Sequence, residues 1–298
     1  MLWRNSPAII VGKNQNTLAE INQDYLDDKQ IPVVRRLTGG GAVYHDLGNI
    51  NYTIIEKDKG EHFSDYSYFT GGLIEFLASL GVKAELKGRN DVIIDDEKIC
   101  GNAQCVDGYL IMHHGCILYQ ADLAFLNQAL RVKAQRFSDK SVKSNKAVVT
   151  NIFDHLPKEK QKSPVEFLLA FGRFMEKQQA LEEYILTSED IKEIEKLQKE
   201  KYQTWRWNYG FSPKYNFTNS ERFSFGTIEV DLLIAQGVIE ECQLTGSFFS
   251  KKDITELQKV ICHCKHEKQE LTTKLSSIEI GNYISGCTRQ QLVDLLIK

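Results

Sequence analysis

Short apolar or alternating segments fill the first 120 residues, and most are bounded by Gly, Asn or Asp. Segments of this kind are typical of β-strands. The pattern predicts strands at residues 8–12, 33–37, 50–55, 92–95, 98–104 and 110–118. The later strands follow one another too closely for crossover helices, so we expect an antiparallel or mixed sheet.

Apolar residues at helical spacing predict three helices in the front part of the chain. The first spans residues 64–80, with Ser64 as its N-cap and Gly81 as its end. The second spans 164–176. The third spans 188–201, with Ser188 as its cap and an apolar face expected to point inward. That face carries Ile191, Ile194 and Leu197.

The back part of the chain has a different pattern. An aromatic and turn-rich segment at 205–210 precedes a predicted hairpin at 224–233 and 238–244, with its turn at 235–237. Helical patterns follow at 253–262, 267–275 and 288–297. We therefore predict an α+β protein with a large mixed-sheet domain at 1–210 and a small α+β domain at 211–298.

Composition narrows the classes of protein. Of the 298 residues, 42% are hydrophobic and 26% are charged, which is ordinary globular composition. A net charge of −3 gives no global attraction to nucleic acid, and no apolar run approaches the ~18 residues that a membrane-spanning helix needs. The first residues lack a secretory pattern, and the 7 cysteines form no dense framework, which favours a reduced, cytoplasmic compartment.

The strongest chemical signal is the sequence RRLTGGGAVYHD at residues 35–46. Three glycines after a strand can form a concave loop whose backbone N–H groups bind an anion. Arg35 and Arg36 stand directly before this loop, so a phosphate or carboxylate ligand is indicated. The spacing is neither that of a P-loop nor that of the dinucleotide-binding fingerprint. The alternative is a tight turn with solvated arginines.

A second signal lies in KGRNDVIIDDEKICGNAQ at residues 87–104. Lys98 enters a strand beside small residues and could point into a cleft as a fixed positive charge. Asp91 could supply a carboxylate for Mg²⁺. The alternatives are a surface lysine on a hairpin and a turn at Asn90–Asp91.

Histidines and cysteines offer two further hypotheses. His45 and the pair at 113–114 could act in acid–base catalysis, but no nucleophile stands beside them in a recognisable motif. The sequence CHCKH at 262–266 could bind zinc, but it lacks the usual Cys-x₂-Cys spacing. We therefore favour neither catalytic histidines nor a zinc site, and interpret the CHCKH sequence as structural or incidental.

The two motifs together, followed by HHG at 113–115 and Thr150–Asn151, resemble the lipoate–protein ligase family over nearly the whole chain. The resemblance implies a catalytic domain of the lipoate/biotin ligase type and a small C-terminal accessory domain. It also implies an enzyme that uses ATP and Mg²⁺ to activate lipoate as lipoyl-adenylate. The lipoyl group then passes to a lysine of an acceptor protein, such as a glycine-cleavage H protein, an H-like protein or a lipoyl domain of a 2-oxoacid dehydrogenase.

The resemblance also implies roles for individual residues. Lys98 is the catalytic cation at the junction of carbonyl and α-phosphate, and Asp91 is the nearest candidate for Mg²⁺. Val43 and Ile99 could line an apolar slot for the lipoyl tail. The residues expected to bind ATP or lipoyl-adenylate are Arg35, Arg36, Gly39, Gly40, Gly41, Ala42, Val43, Tyr44, His45, Asn90, Asp91, Lys98, His114 and Lys146.

Three departures from the family pattern affect these expectations. Relatives usually carry an N-terminal layer of strand and acidic helix before the position of residue 1, so we expect either that this layer is missing here or that the start was truncated. The loop at 144–151, expected to cover the adenylate, has Lys146 and Val148 where relatives often have arginines. Cys105 also stands where some relatives have arginine.

Two alternatives to a ligase remain. An octanoyl or lipoyl transferase of the same fold would need a nucleophilic cysteine upstream of the lysine, and residues 82–97 contain none. A non-catalytic lipoyl-binding relative would keep the pocket without turnover. We expect no nucleic-acid or membrane partner in any of these cases.

Overall fold

A computed structural model describes residues 1–57, 61–130, 148–178 and 182–297, together with the backbone of 137–139. Its strands are β1 (Leu2–Trp3), β2 (Ala8–Val11), β3 (Val33–Arg35), β4 (Val43–His45), β5 (Asn49–Lys57), β6 (Glu85–Lys87), β7 (Asp91–Ile94), β8 (Glu97–Asp107), β9 (Leu110–Leu118), β10 (Phe137–Asp139), β11 (Tyr215–Phe223), β12 (Gly226–Ala235) and β13 (Val238–Gly246). Its α-helices are α1 (Thr17–Glu20), α2 (Gln23–Asp28), α3 (Tyr66–Ser79), α4 (Leu123–Ala129), α5 (Ile152–His155), α6 (Pro164–Gln178), α7 (Ser188–Leu197), α8 (Ile254–Ile261), α9 (Lys268–Lys274) and α10 (Arg289–Ile297).

The chain forms two compact units. The first contains residues 1–13, 21–131 and 143–198, and the second contains 14–20, 132–142 and 199–298. Short segments from the front of the sequence therefore belong to the second unit. Among the described residues, no helix combines the length and the apolar character that a membrane span requires.

Two sheets form the frame of the first unit. The larger has six antiparallel strands in the order β1-β5-β9-β8-β7-β6. The smaller has the order β3-β2-β4, in which β2 pairs parallel with β3 and antiparallel with β4. The prediction of a fold with antiparallel and mixed sheets is confirmed.

Helices α3 and α6 supply apolar side chains to one face of the six-stranded sheet. Phe76 of α3 contacts the rings of Phe167 and Phe171 of α6. The same buried core contains Ile50, Ile99 and Ile117 from the strands. This face is closed to ligands, so any site on this sheet must lie on the opposite face.

The caps of two predicted helices differ by one residue from the prediction. Asp65, not Ser64, caps α3 and accepts a hydrogen bond from the Tyr68 N–H, whereas Ser64 has a left-handed backbone at φ +70°. Thr187, not Ser188, caps α7 in a capping box with Asp190. Both shifts follow from the competition of neighbouring polar side chains for the same N-terminal N–H groups.

The prediction that α7 buries an apolar face is wrong. Ile191, Ile194 and Leu197 are 43–51% exposed, and no residue of α7 is buried. The spacing is that of an amphipathic helix, but sequence periodicity does not say whether a partner surface is present.

The second unit is built on the sheet β10-β11-β12-β13, whose strands β11, β12 and β13 form an antiparallel meander. Gln236 and Gly237 have φ values of +50° and +75°, so they form the two-residue turn between β12 and β13. Helices α8, α9 and α10 bury Leu257, Leu271 and Leu292 in the same core as the sheet. The hairpin and the three helices were predicted, whereas β11 was not.

The CHCKH sequence is part of this core. Cys264 and His266 are buried, and no group of three metal-ligating side chains occurs among the described residues. His266 accepts at Nδ1 from the Tyr215 hydroxyl and donates from Nε2 to the Leu296 carbonyl, both at 2.7 Å. Its role is structural.

This histidine predicts acid sensitivity of the second unit. Burial lowers the pKa of His266 to about 4, from about 6.5 in an unfolded chain. Folding therefore favours the neutral ring, and its contribution is complete above pH 6.5 and lost as the pH falls towards 4. The loss is on the order of 3 kcal/mol of unfolding free energy.

Urea unfolding at several pH values measures this effect. Trp205 and Trp207, two of the 3 tryptophans, report by fluorescence on the second unit. Between pH 6.5 and 4 the wild type should lose more stability than His266→Gln, which has no imidazole to titrate. Equal losses in the two proteins would contradict the assignment.

Candidate active site

The site face of the six-stranded sheet is the face opposite α3 and α6. Side chains alternate between faces along a strand, and register places Gly101 of β8 beside Cys116 of β9, and Ala103 beside His114. Thr53 of β5 also pairs with His114. Small and polar side chains on this face thus leave room for a ligand.

A β-bulge turns Lys98 towards the site face. Strict alternation would put Lys98 on the same face as Cys100, in the core. The register between β7 and β8 shifts, however, so that Val92 pairs with Cys100 but Ile93 pairs with Lys98. Ile99 and Cys100 are consequently both buried in the core. Re-aiming one side chain in this way is a recurrent use of bulges near functional sites.

The Lys98 ammonium lies over Gly101 and pairs with a carboxylate. A Cβ on Gly101 would stand 2.8 Å from both Cε and Nζ of Lys98. Nζ is 2.8 Å from the Asp91 carboxylate, and the lysine side chain is 24% exposed. The result is a partly shielded cation that a ligand on the site face can reach.

The backbone at Lys98 is held by the chain segment that follows position 147. The Lys98 N–H donates to the Val148 carbonyl at 2.9 Å, and the Thr150 N–H donates to the Lys98 carbonyl at 3.1 Å. The loop at 144–151 was predicted to cover the adenylate, and its second half, from Val148 onward, is therefore hydrogen-bonded to β8. Lys146 lies outside the described residues.

The glycine loop, residues 38–42, folds around the Arg36 guanidinium. Nη2 donates to the carbonyls of Gly39 and Gly41 at 2.7 and 2.8 Å. In a trans peptide the next N–H points the opposite way, so the N–H groups of Gly40 and Ala42 face away from Arg36. That orientation is the one an anion-binding nest requires.

Two glycines make this loop possible. Gly40 has a left-handed backbone at φ +95°, and a Cβ on Gly12 would stand 2.0 Å from the Gly40 carbonyl oxygen. Arg35 adds a second support, since it is buried and donates from Nη1 to the carbonyls of Gly12 and Lys13 at 2.9 and 3.0 Å. Both arginines thus bind backbone oxygens in this structure.

Thr38 joins the glycine loop to the site face. Its Oγ1 accepts from Nε of Arg36 at 3.0 Å, so its hydroxyl hydrogen is available for Nε2 of His114 at 2.6 Å. Burial and the nearby Arg36 lower the pKa of His114 to about 4. At neutral pH the ring is uncharged and acts as a hydrogen-bonding group.

The other predicted residues divide between the site and its surroundings. Val43 and His45 alternate along β4 with Tyr44, which is buried and stacks on Phe125 with ring centroids 4.6 Å apart. Burial, Arg36 and His114 lower the pKa of His45 to about 3, which argues against acid–base catalysis at neutral pH.

The prediction that Ile99 lines a substrate slot is wrong, because the bulge places this side chain in the core. The apolar residues that do continue along the site face from Gly101 are Ala103 and Cys105 on β8, and Met112 beside them on β9. The four residue steps along β8 from position 101 to position 105 span about 13 Å. This apolar strip suits an elongated apolar substrate.

Sequence reasoning missed three residues that shape the site: Gly12, Thr38 and Asn102. Gly12 ends the first strand pattern and carries no local sign of its contact with Gly40. Thr38 lies inside the glycine motif, where a hydroxyl residue is also common in turns. Asn102 lies inside KICGNAQ, between Gly101 and Ala103. Its position between two small residues could have indicated a buried polar side chain.

Comparison with known proteins identifies the family. Residues 1–168 match the family described as Lipoyl protein ligase A/B catalytic domain, and residues 212–296 match Bacterial lipoate protein ligase C-terminus. The chain is 38% identical to lipoate-protein ligase LplJ of Bacillus subtilis and 39% identical to lipoate–protein ligase 1 of Staphylococcus aureus, in each case over 99% of this chain and 90% of the relative.

Solved structures give the same result. Plasmodium falciparum LipL1 in complex with lipoate is 26% identical, with a TM-score of 0.56 over 98% of this chain and 83% of that one. Lipoate-protein ligase A bound with ATP is 26% identical, with a TM-score of 0.59 over 70% of this chain and 85% of that one. The bipartite lipoate protein ligase of Thermoplasma acidophilum, studied with its E2 lipoyl domain, is 26% identical, with a TM-score of 0.60 over 70% and 83% of the two chains. The chain therefore belongs to the lipoyl protein ligase A/B family.

Proposed function

We propose that the protein is an ATP-dependent lipoate–protein ligase that forms lipoyl-adenylate and transfers the lipoyl group to a lysine of an acceptor protein. The observation that carries this proposal is the position of the Lys98 ammonium on the site face, beside the apolar strip. Two findings from the comparisons support it. The relatives are named lipoate–protein ligases, and similar solved structures contain lipoate or ATP.

The first half-reaction joins two anions. A lipoate carboxylate oxygen attacks the α-phosphorus of ATP, an acyl–phosphate bond forms, and the bond to pyrophosphate breaks. Lys98 stabilises the charge on the carboxylate and on the α-phosphate, and the Gly40 N–H donates to a phosphate oxygen.

The second half-reaction uses the same cation. The neutral amine of the acceptor lysine attacks the acyl carbon, an amide bond forms, and the bond to AMP breaks while the amine loses a proton. Lys98 stabilises the developing charge on the carbonyl oxygen and on the departing phosphate. Burial of the lipoyl chain on the apolar strip holds the acyl carbon beside Lys98.

The remaining residues of the proposed ATP and adenylate site act mainly by shaping it. Arg35, Arg36 and Thr38 hold the glycine loop, whereas Val43, His45 and His114 face the ligand. Gly39, Gly41, Tyr44, Asn90 and Lys146 complete the proposed set. Residues 1–210 remain our proposal for the catalytic domain, and 211–298 for the accessory domain.

We include Mg²⁺ as a cofactor of the nucleotide. Asp91 presents a half-buried carboxylate at the site, and Mg²⁺ at nucleotide sites is commonly held by one or two carboxylates together with phosphate oxygens and water. The Asp91 carboxylate, together with phosphate oxygens and water, therefore fits a Mg²⁺ ion that binds with ATP. Such an ion would neutralise the triphosphate.

We propose a cytoplasmic location and a lipoyl domain or H-type protein as the acceptor. All 7 cysteines are free thiols, as expected in a reducing compartment. The Thermoplasma structure, which includes an E2 lipoyl domain, supports an acceptor of that class.

A transferase mechanism is less well supported by the thiols near Lys98. Cys100 is buried on the core side of β8, and burial raises the pKa of Cys116 to about 12. Neither is a ready thiolate nucleophile.

ATP–pyrophosphate exchange tests the function directly. We expect exchange that depends on lipoate and on Mg²⁺, because adenylate formation is reversible and needs no acceptor. Octanoyl-acceptor protein should not replace lipoate in this assay. A folded protein without lipoate-dependent exchange would overturn the proposed ligase and favour a transferase or a non-catalytic relative.

A further inference from the structure

A chain of hydrogen bonds runs through the core beneath the site face. It begins where the Ser64 N–H donates to Oε1 of Gln104 at 2.9 Å. Nε2 of Gln104 is 3.1 Å from Nδ1 of His113, and Nε2 of His113 is 3.2 Å from the Tyr52 hydroxyl. The Tyr52 hydroxyl in turn lies 2.5 Å from Oδ1 of Asn102.

The direction of donation is fixed along this chain. Nδ2 of Asn102 donates to the Asn90 carbonyl at 3.0 Å, so Oδ1 of Asn102 is an acceptor and the Tyr52 hydroxyl must donate to it. His113 must then donate from Nε2 to Tyr52 and accept at Nδ1 from Gln104. Burial lowers the pKa of His113 to about 3, which agrees with this neutral ring.

The chain ends beside the catalytic pair. Besides the bond from Nδ2, the Asn102 N–H donates to the Asn90 carbonyl at 3.0 Å, and Nδ2 of Asn90 donates to the Asn102 carbonyl at 2.9 Å. Three hydrogen bonds thus fix Asn90 to Asn102. Asn90 immediately precedes Asp91, whose carboxylate holds the Lys98 ammonium.

Asn102 does not face the ligand. It is 5% exposed, and its side chain lies on the core side with Tyr52, over Gly115. A Cβ on Gly115 would stand 2.3 Å from the Tyr52 ring and 2.4 Å from Oδ1 of Asn102. The absence of a side chain at position 115 therefore allows these two groups to meet.

We propose that Asn102, oriented by the Tyr52 hydroxyl, is a positioning residue for the Asp91–Lys98 pair in adenylate formation. Without the hydroxyl, Oδ1 of Asn102 keeps only the weak donation from the Cys100 thiol at 3.6 Å, so the amide is held less firmly and its donation to Asn90 weakens. Asp91 then holds the ammonium in a broader set of positions. Small displacements of this kind lower the rate of the chemical step more than they lower substrate affinity.

Tyr52→Phe tests the proposal, with Tyr119→Phe as a matched control. Tyr119 is equally buried in the same core, but its hydroxyl donates to the Lys162 carbonyl at 2.5 Å, away from the pair. The assay is lipoate-dependent ATP–pyrophosphate exchange, with thermal unfolding recorded for both variants. We expect kcat to fall about tenfold in Tyr52→Phe, with the KM values for ATP and lipoate within about twofold of wild type.

The control separates positioning from loss of stability. Tyr119→Phe should lose similar stability and keep kcat within about twofold. Equal kcat values in the two variants would overturn the proposal, as would a Tyr52→Phe effect confined to KM.

A second variant keeps the proposal testable if Tyr52→Phe does not fold. Asn102→Leu is similar in size but can neither accept from Tyr52 nor donate to the Asn90 carbonyl, so kcat should fall by a similar factor. An unchanged kcat in this variant would also overturn the proposal. The inference rests on the proposed function, and the two can fail separately: wild type without exchange refutes the function, whereas an active Tyr52→Phe refutes only the positioning role.

Discussion

Lys98→Ala is expected to reduce lipoate-dependent ATP–pyrophosphate exchange by about 10²–10³-fold, the usual cost of removing one preorganised charge-stabilising group. The Lys98 side chain is 24% exposed and lies outside the apolar core that the sheet forms with α3 and α6, so the fold should remain intact. Exchange kinetics, together with circular dichroism and a thermal melt, measure both parts of this prediction.

Lys87→Ala is the matched control. Lys87 lies on β6, which β7 separates from the strand of Lys98, and pairs with Asp96 at 2.5 Å, but both side chains are largely exposed. Surface pairs of this type contribute little, so exchange should be unchanged. Lys98→Arg should be nearly as inactive as Lys98→Ala, because a planar guanidinium does not replace a compact ammonium above Gly101. Near-normal turnover of folded Lys98→Ala would refute the central role given to this lysine.

Gly101→Ala should inactivate the enzyme without unfolding it. The new methyl group would stand 2.8 Å from Cε and Nζ of Lys98, so the ammonium must move. The displaced atoms form the flexible end of a side chain, and the backbone can stay in place. We expect exchange to fall by one to two orders of magnitude, with a free energy of unfolding within about 1 kcal/mol of wild type, since alanine also restricts the unfolded chain.

Gly71→Ala provides the comparison, because a Cβ at that position in α3 meets no atom within 4 Å. It should retain full exchange activity. If Gly101→Ala were as active as Gly71→Ala, the lysine would have another productive position, and the geometry described above would not be the reacting one.

The positions of strands could be predicted from the sequence where one face of the strand is buried. The segment 110–118 was predicted with the bounds that β9 has, because it is a short, largely apolar run and Asp107–Gly108 precedes it. The bulge at Lys98 was not predicted. Ile99 and Cys100 are two apolar neighbours, and a short apolar run does not reveal which residue is extra. The face on which Lys98 lies could be known only from the pairing with β7.

For α7 the sequence predicts the helix but not its burial. The spacing of Ile191, Ile194 and Leu197 correctly predicts a helix at α7, but the prediction of burial failed because burial depends on a partner surface that local sequence does not encode. The glycine motif illustrates a further limit. Two adjacent arginines suggested ligand contacts, and the structure shows them bound to backbone oxygens of neighbouring loops. The roles given to individual site residues remain predictions.

The closure of the glycine loop around Arg36 has a consequence for the thermodynamics of nucleotide binding. A loop that becomes ordered only on binding loses conformational entropy at that moment, and affinity falls accordingly. Here the guanidinium and the close approach of Gly12 to Gly40 fix the loop before any nucleotide arrives. The entropic cost is met during folding, so binding energy from the phosphates is available for affinity and for alignment of the two reacting anions.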